Sequence, residues 1–360
     1  MPCHRISDKM PFISVIVPSY NESKFIRFCM ESLINLNYPQ DKFEIIVVDN
    51  GSTDDTVSIC SEYTPKIYVA PDLTVGGLRN FGARKANGQI YAFIDADCVA
   101  DSSWLINAIN SLKNEEYIIG SKYNIPSDAR WIEKVWFSQK PKGKTEVTYI
   151  NSGNMILPKN LFNEIGGFNE SIRTGEDYDL CLRAKKKLKK TISDDTIKVI
   201  HLGNPKTLGS FLKREIWHGL GSFSSFKNKW IDLPLFGTIF FFTFSMFQFF
   251  GVLTIPFANT ANIFLLSTIG LAILLISTAV YRINYVKNPK EFLQLMILYY
   301  VYYLGRSIAL FYIFTRRNYF GYVLTKEKPQ ANIGPVASNH PPAEPGALKF
   351  MSRSKRQQSR

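Results

Sequence analysis

Asp95-Ala96-Asp97 is the sharpest chemical signal in the chain. Two carboxylates at i and i+2, just past a buried apolar run, set hard oxygen ligands at the rim of a sheet. Such ligands suit Mg2+ or Mn2+, which take one or two carboxylates together with substrate phosphates. The same residues also read as an Asx-turn or helix cap, since Asp101 and Ser102 follow closely. Asp49 ends another apolar run, before the sharp turn Asn50-Gly51-Ser52. There a carboxylate either accepts from a base N–H or ribose hydroxyl, or caps the strand end. Arg79 follows Gly76-Gly77 at a helix start, where its forked guanidinium meets either phosphate or solvent. Glu176-Asp177 opens a second helix. The positive end of the dipole is expected to keep that carboxylate ionised and able to take a proton from a hydroxyl, with plain N-capping as the alternative. His201 closes the run TIKVI; a neutral imidazole ligates Mn2+ or serves a structural hydrogen bond.

These side chains need a scaffold that gathers strand ends. FISVIV (Phe12–Val17, closed by Pro18), FEIIVVD (Phe43–Asp49), KIYVA (Lys66–Ala70) and QIYAFID (Gln89–Asp95) read as short buried strands. Helix-period stretches lie between them, to about Asn35, after NGSTDDT, and from Leu78 to Ala86; a later one runs from Tyr178 to about Leu188. Strands alternating with helices at this spacing predict an α/β fold, a mostly parallel sheet with helices on both faces. Ligands of such sheets sit at the carboxyl ends of the strands, where Pro18-Ser19, Asp49 and Asp95–Asp97 fall. Gly166-Gly167-Phe168 reads as a turn whose glycines serve backbone geometry.

The 360 residues carry a net charge of +13, and their charge is unevenly spread. From Leu233 to Tyr281 there are 49 residues without Asp, Glu, Lys, Arg or His, which a bilayer requires and a soluble core does not. A simple soluble enzyme is thereby excluded. Spans are expected at about 235–256, 261–281 and 292–314, the third containing Arg306, which would face a lipid-phosphate site if it crosses, or else lie in the interface. Phe211 to Trp230 mixes Lys213, Arg214, Lys227 and Lys229 with Trp217, Phe223 and Phe226, as an interfacial helix does. The basic run Arg183–Lys190 reads as a solvated helix face or a contact with anionic headgroups; nucleic acid is not an expected partner. The five cysteines have no metal or disulfide spacing, which fits a reducing compartment. The start MPCHRISDKM has no apolar stretch long enough for a signal peptide, so the N-terminal part is expected in the cytosol. Arg282, Lys287 and Lys290 return the chain there after the second span. The expected division is an N-terminal extension (1–11), a catalytic domain (12–204), an interfacial segment (205–232), a membrane region (233–316) and a disordered tail (327–360).

The blocks ISVIVPSYNE, IIVVDNGSTDDT, GGLRNFGARKANG, FIDADC, NSGNMILPKNLFNEIGGFNE and TGEDYDLCLRAKKK, in that order, resemble glycosyltransferase family 2, inverting enzymes of the GT-A fold. The resemblance covers roughly Phe12 to His201 and extends to membrane-anchored sugar transferases of exopolysaccharide type. It implies that Pro18, Tyr20 and Glu22 line a nucleotide pocket, that Asp49 meets the base, and that Asp95 lies near the ribose. Arg79 falls in the donor-facing block, and Asp97 would hold the metal (Mn2+ or Mg2+), with His201 a further ligand. Asp177 would be the catalytic base, with Glu176, Gly153 and Asn154 on the acceptor side. Processive relatives carry Q-x-x-R-W; here Lys213–Trp217 reads KREIW, which keeps only the tryptophan and argues against polymer extrusion. Arg214 and Trp217 could still touch donor or acceptor.

The expected activity is transfer of a sugar from a nucleotide-sugar, a UDP-hexose ahead of GDP-mannose, to a lipid-linked saccharide. A polyprenyl-phosphate sugar synthase is the alternative enzyme. A nucleotide-sugar-binding membrane scaffold is the alternative from another class, disfavoured because a scaffold has no need of a base. The expected location is the cell membrane, multi-pass, with the catalytic half facing the cytosol. Oligomeric state is not legible.

Overall fold

The computed structural model describes residues 10–112, 117–137, 142–224, 233–254, 261–282 and 286–315. Cys3, the tip of the interfacial segment with Phe226, Lys227, Lys229 and Trp230, the turn between the first two expected spans, Arg316-Arg317 and the tail lie outside them.

The first half alternates strand and helix. It contains β1 (Ile13–Ser19), α1 (Ile26–Ile34), β2 (Phe43–Asp49), α2 (Thr56–Ser61), β3 (Ile67–Val69), α3 (Val75–Lys85) and β4 (Ile90–Ile94). Then come β5 (Cys98–Ala100), α4 (Trp104–Ser111), β6 (Tyr117–Gly120), α5 (Trp131–Trp136), β7 (Lys144–Glu146) and β8 (Asn154–Pro158). α6 (Lys159–Glu164), α7 (Glu176–Lys186), β9 (Lys190–Asp194) and β10 (Val199–His201) complete this half. One eight-stranded sheet runs β3-β2-β1-β4-β8-β6-β9-β7, and β10 pairs with β5 in a separate ribbon. β3, β2, β1 and β4 are mutually parallel, whereas β8 runs antiparallel to both β4 and β6.

Every residue of β1 and β2 is buried, which is why both read as unbroken apolar runs. Side chains alternate between faces. Ile13, Val15 and Val17 join Met30, Leu33 and Trp104 on one side. Ile16 joins Ile46, Leu78, Phe93 and Phe168 on the other. Two departures from expectation have local causes. Pro18 does not close β1; it pairs with Val48, beyond the last β1–β4 pair at Ile16–Phe93, where a missing N–H is tolerated. α3 starts at Val75 rather than Leu78, because the Thr74 hydroxyl accepts from the Gly77 N–H at 3.2 Å and caps it.

The second half is helical: α8 (Leu208–Ser224), α9 (Leu233–Thr254), α10 (Ala261–Tyr281) and α11 (Pro289–Thr315). Asn262–Tyr281 and Pro289–Ile313 are long and apolar enough to cross a membrane, and Pro234–Phe250 is a shorter apolar helix. α8 and α11 pack through small residues. A Cβ on Gly219 would come within 2.6 Å of the Ala309 Cβ, and one on Gly305 within 2.9 Å of the Glu215 Cβ. The α/β half touches these helices through α5. Ile132 and Val135 share an apolar cluster with Phe211, Ala279, Leu295 and Leu298. Trp136 packs against Phe211, Tyr299 and Tyr302, and its carbonyl accepts from Arg282 Nη2 at 3.0 Å.

Candidate active site

The turn after β4 and the β5–β10 ribbon build one wall of the site. The ribbon sets His201 directly across from Cys98, so the imidazole lands beside Asp97. His201 Nε2 is 3.4 Å from Asp97 Oδ2, and ligand atoms of Asp95, Asp97, Cys98 and His201 all lie within 4.8 Å of one another. Two glycines make room. A Cβ on Gly153 would collide with the Asp95 carboxylate and the Tyr123 hydroxyl, and one on Gly203 with the Asp97 carboxylate. Burial raises the pKa of Asp97, and Asp95 adds to this while His201 opposes it. Glu22 is pushed up to about 7 by burial, then by Asp97, Asp95 and Asp54. Crowded carboxylates with raised pKa values, plus an imidazole whose Nδ1 is buried without a hydrogen-bond partner among the described residues, form a donor set that fits a divalent cation of the Mn2+ type.

Arg79 joins this wall to the next. It is 2% exposed, and its terminal nitrogens donate to Asp95 Oδ1 at 2.6 Å and to Glu176 Oε1 at 2.7 Å. Burial works against its charge, but Asp95 and Glu176 outweigh burial and raise its pKa. The solvated-surface reading of Arg79 therefore needs correction. Its fork is taken by two carboxylates, and it acts as a strut between the DXD turn and α7. Tyr123 OH donates to the other Asp95 oxygen at 3.1 Å, and Ser152 Oγ to Glu176 Oε1 at 3.3 Å.

α7 begins where expected, after Gly175 at φ 83°, a left-handed geometry that favours glycine. Asp177 Oδ1 accepts from the Tyr178 N–H at 2.7 Å, and the Ser152 backbone also donates to the carboxylate. The dipole does not dominate its ionisation. Burial, then the neighbouring Glu176, push Asp177 up to about 7. A carboxyl of that pKa, half-buried in a cleft, is suited to exchanging a proton near neutral pH.

The loops after β1 and β2 are laced together. Asn21 N donates to Ser52 Oγ and Glu22 N to Thr56 Oγ1, both at 2.8 Å. Asp49 is fully buried, and its oxygens accept from Ser19 Oγ, Ser52 Oγ and the N–H groups of Gly51 and Ser52, at 2.5 to 3.0 Å. Those contacts make the strand-end cap. Tyr20 is 53% exposed at the mouth, while Pro18 is buried within β1.

Two further expectations change. Asn154 is fully buried; it accepts from Trp104 Nε1 at 2.8 Å and donates to Ser121 Oγ and the Ile197 carbonyl. It is a knot in the core, and Gly153 before it is the residue on the cleft. Trp217 is 52% exposed and packs on His218. In the basic run, Arg183 binds Asp179 and the Gly167 carbonyl, Lys187 the Glu164 carbonyl, Lys189 Glu164 and Lys190 Glu146. Four of its six cations thus serve internal contacts, not a free patch. Tyr123, Ser152, Cys98 and Gly203 carried no signal by themselves. Only the strand register and the turn at 151–154 bring them to the site.

Comparison with known proteins follows the same division. The family description "Glycosyl transferase family 2" matches residues 14–168, and "Glycosyl transferase family group 2" matches residues 129–314, just over half of the chain. The glycosyltransferase AglE of Haloferax volcanii is 26% identical over 191 residues, covering 50% of this chain and 63% of its own. A dolichyl N-acetyl-alpha-D-glucosaminyl phosphate 3-beta-D-2,3-diacetamido-2,3-dideoxy-beta-D-glucuronosyltransferase of Methanococcus voltae is 27% identical over 233 residues, covering 58% of this chain and 72% of its own. The match spans less than two thirds of the length of the first curated relatives. The mannosyltransferase PcManGT of Pyrobaculum calidifontis, solved with GDP-Man and Mn2+, shares the fold at a TM-score of 0.54, with 17% identity over 84% of this chain and 88% of that one.

Proposed function

The chain belongs to glycosyltransferase family 2, and from that premise we propose that it moves a sugar from a nucleotide-sugar to a lipid-linked saccharide, with inversion at the anomeric carbon. The observation that carries the reading is the strut. Through Arg79, one buried cation holds the donor-side Asp95 and the α7 residue next to Asp177 within one cleft. On this reading the base and the carboxylates that would hold the metal are linked through Arg79.

Asp97, His201 and Asp95 would hold the divalent ion, which when bound supplies positive charge to the leaving diphosphate. Glu22 and Tyr20 line the nucleotide side. Asp177 takes the proton of the acceptor hydroxyl, and the hydroxyl oxygen attacks the anomeric carbon from the face opposite the diphosphate. Gly153 leaves backbone space for the incoming sugar. α8 lies at the interface, and α9, α10 and α11 hold the cleft beside the bilayer on the side where nucleotide-sugars are made, which raises the effective concentration of a membrane-bound acceptor. The lipid-linked class of acceptor is supported by the Methanococcus voltae relative, which acts on a dolichyl-phosphate-linked sugar. The division into residues 12–204, 205–232 and 233–316 belongs to this reading.

The test is to incubate membranes containing the protein with a panel of labelled nucleotide-sugars and extract the lipids. One donor should label a lipid-linked saccharide in wild type and none in Asp177→Asn. Label appearing only in polyprenyl-phosphate monosaccharide, or equal label in the variant, would overturn it.

A further inference from the structure

The reaction as proposed does not use Tyr123, yet this side chain touches two of the three residues assigned to the divalent ion. Its hydroxyl donates to Asp95 Oδ2 at 3.1 Å. Its ring lies against the His201 imidazole, with centroids 4.8 Å apart and planes tilted by 49°. The first contact fixes the direction of a carboxylate. The second backs the imidazole whose Nε2 is 3.4 Å from Asp97 Oδ2.

The chain around Tyr123 is pinned on both sides. Ser121, two residues before it, is 2% exposed; its Oγ donates to the Ile197 carbonyl at 2.6 Å and accepts from Asn154 Nδ2 at 3.0 Å. Asn124, one residue after it, bridges to Ile200 in β10. The Asn124 N–H donates to the Val199 carbonyl at 2.7 Å, and its carbonyl accepts from the His201 N–H at 3.1 Å. The backbone bonds that align β10 therefore bring the phenol and the imidazole together. Gly153 completes the enclosure, since a Cβ there would collide with both the Asp95 carboxylate and the Tyr123 hydroxyl. A hydroxyl held between two anchors has little freedom to point elsewhere.

Charge explains why a phenol suits this place. Asp95 Oδ1 already receives the Arg79 guanidinium at 2.6 Å. A second cationic donor, on Oδ2, would offset the negative charge that attracts a metal. A phenol is a neutral donor near pH 7, so it orients the carboxylate and leaves that charge in place. Each carboxylate oxygen has two lone pairs, so Asp95 keeps room for an ion. Ligands oriented in this way by outer partners bind metal more tightly than ligands left to turn freely.

We propose that Tyr123 is a positioning residue for the divalent ion, holding Asp95 by its hydrogen bond and His201 by its ring. The proposal rests on the transferase reading only for the assignment of the ion to Asp95, Asp97 and His201. Binding of Mn2+ is measurable without sugar transfer.

Full-length protein in detergent at pH 7 would be titrated with Mn2+ alone, with free Mn2+ followed by electron paramagnetic resonance. Tyr123→Phe, which keeps the ring, should raise the Mn2+ dissociation constant about tenfold or more, the usual loss for an outer partner of a metal ligand. Tyr123→Leu, which removes the ring as well, should raise it further. In transfer assays, excess Mn2+ should restore the rate of Tyr123→Phe. A purely structural role predicts a lower melting temperature without metal and unchanged Mn2+ affinity in the folded protein. That result overturns the proposal, as does a wild type that binds no Mn2+. If Tyr123→Phe weakens Mn2+ binding but no lipid-linked saccharide is ever labelled, the positioning role stands and the transferase reading falls. Labelled lipid-linked saccharide together with a Mn2+ affinity indifferent to Tyr123 leaves the transferase reading standing and overturns the positioning role.

Discussion

At the scale of residues, the site is governed by carboxyl groups that burial and one another drive toward neutrality. Asp177 must be ionised to act as a base. With a pKa near 7, the rate of the chemical step should climb as pH rises through that value and level off above it. Glu176→Gln removes the adjacent negative charge and should shift this limb to lower pH, which a kcat–pH profile would show. Asp177→Asn should lower transfer by about a thousandfold, within the usual range for a lost general base, while nucleotide binding measured by calorimetry persists. Glu22, Asp95 and Asp97 repel one another in the absence of a counter-charge. Mn2+ should therefore raise the melting temperature and release protons when added near pH 7, and Asp97→Ala should abolish both effects.

At the scale of elements, what was legible in the sequence is what local chemistry fixes. β2 spans the expected residues from Phe43 to Asp49, because both its faces are buried and its run is unbroken. α7 starts at Glu176 because Gly175 turns the chain into it. The pairing of Asp95 and Asp97 with His201 could only be guessed, since it depends on β10 crossing to lie antiparallel to β5. The burial of Arg79 between two carboxylates was not legible for the same reason: its partner Glu176 is 97 residues away. Asn154 was misread because an amide beside a glycine turn looks alike whether it faces a substrate or the indole of Trp104. Asn154→Ala should leave that indole N–H unpaired and cost about 2 kcal/mol of stability in denaturant unfolding. Gly305→Leu should force α8 off α11 and cost about 1–3 kcal/mol, read as a lower melting temperature in detergent.

At the scale of the whole molecule, an α/β half is joined to helices that include two long and apolar enough to cross a bilayer. If the reading of membrane attachment holds, the protein should stay in the pellet after carbonate extraction. A cysteine introduced near Ala331 should label from outside if three helices cross, and labelling from the cytosol would exclude three crossings. The contact between the halves runs through α5, where Trp136 sits among Phe211, Tyr299 and Tyr302 and its carbonyl takes Arg282. The hydrophobic half is thus no generic tether to be exchanged for another. A chimera that grafts foreign transmembrane segments onto this α/β half would strand an indole and two aliphatic side chains in water, so α5 has to travel with the helices it was shaped against.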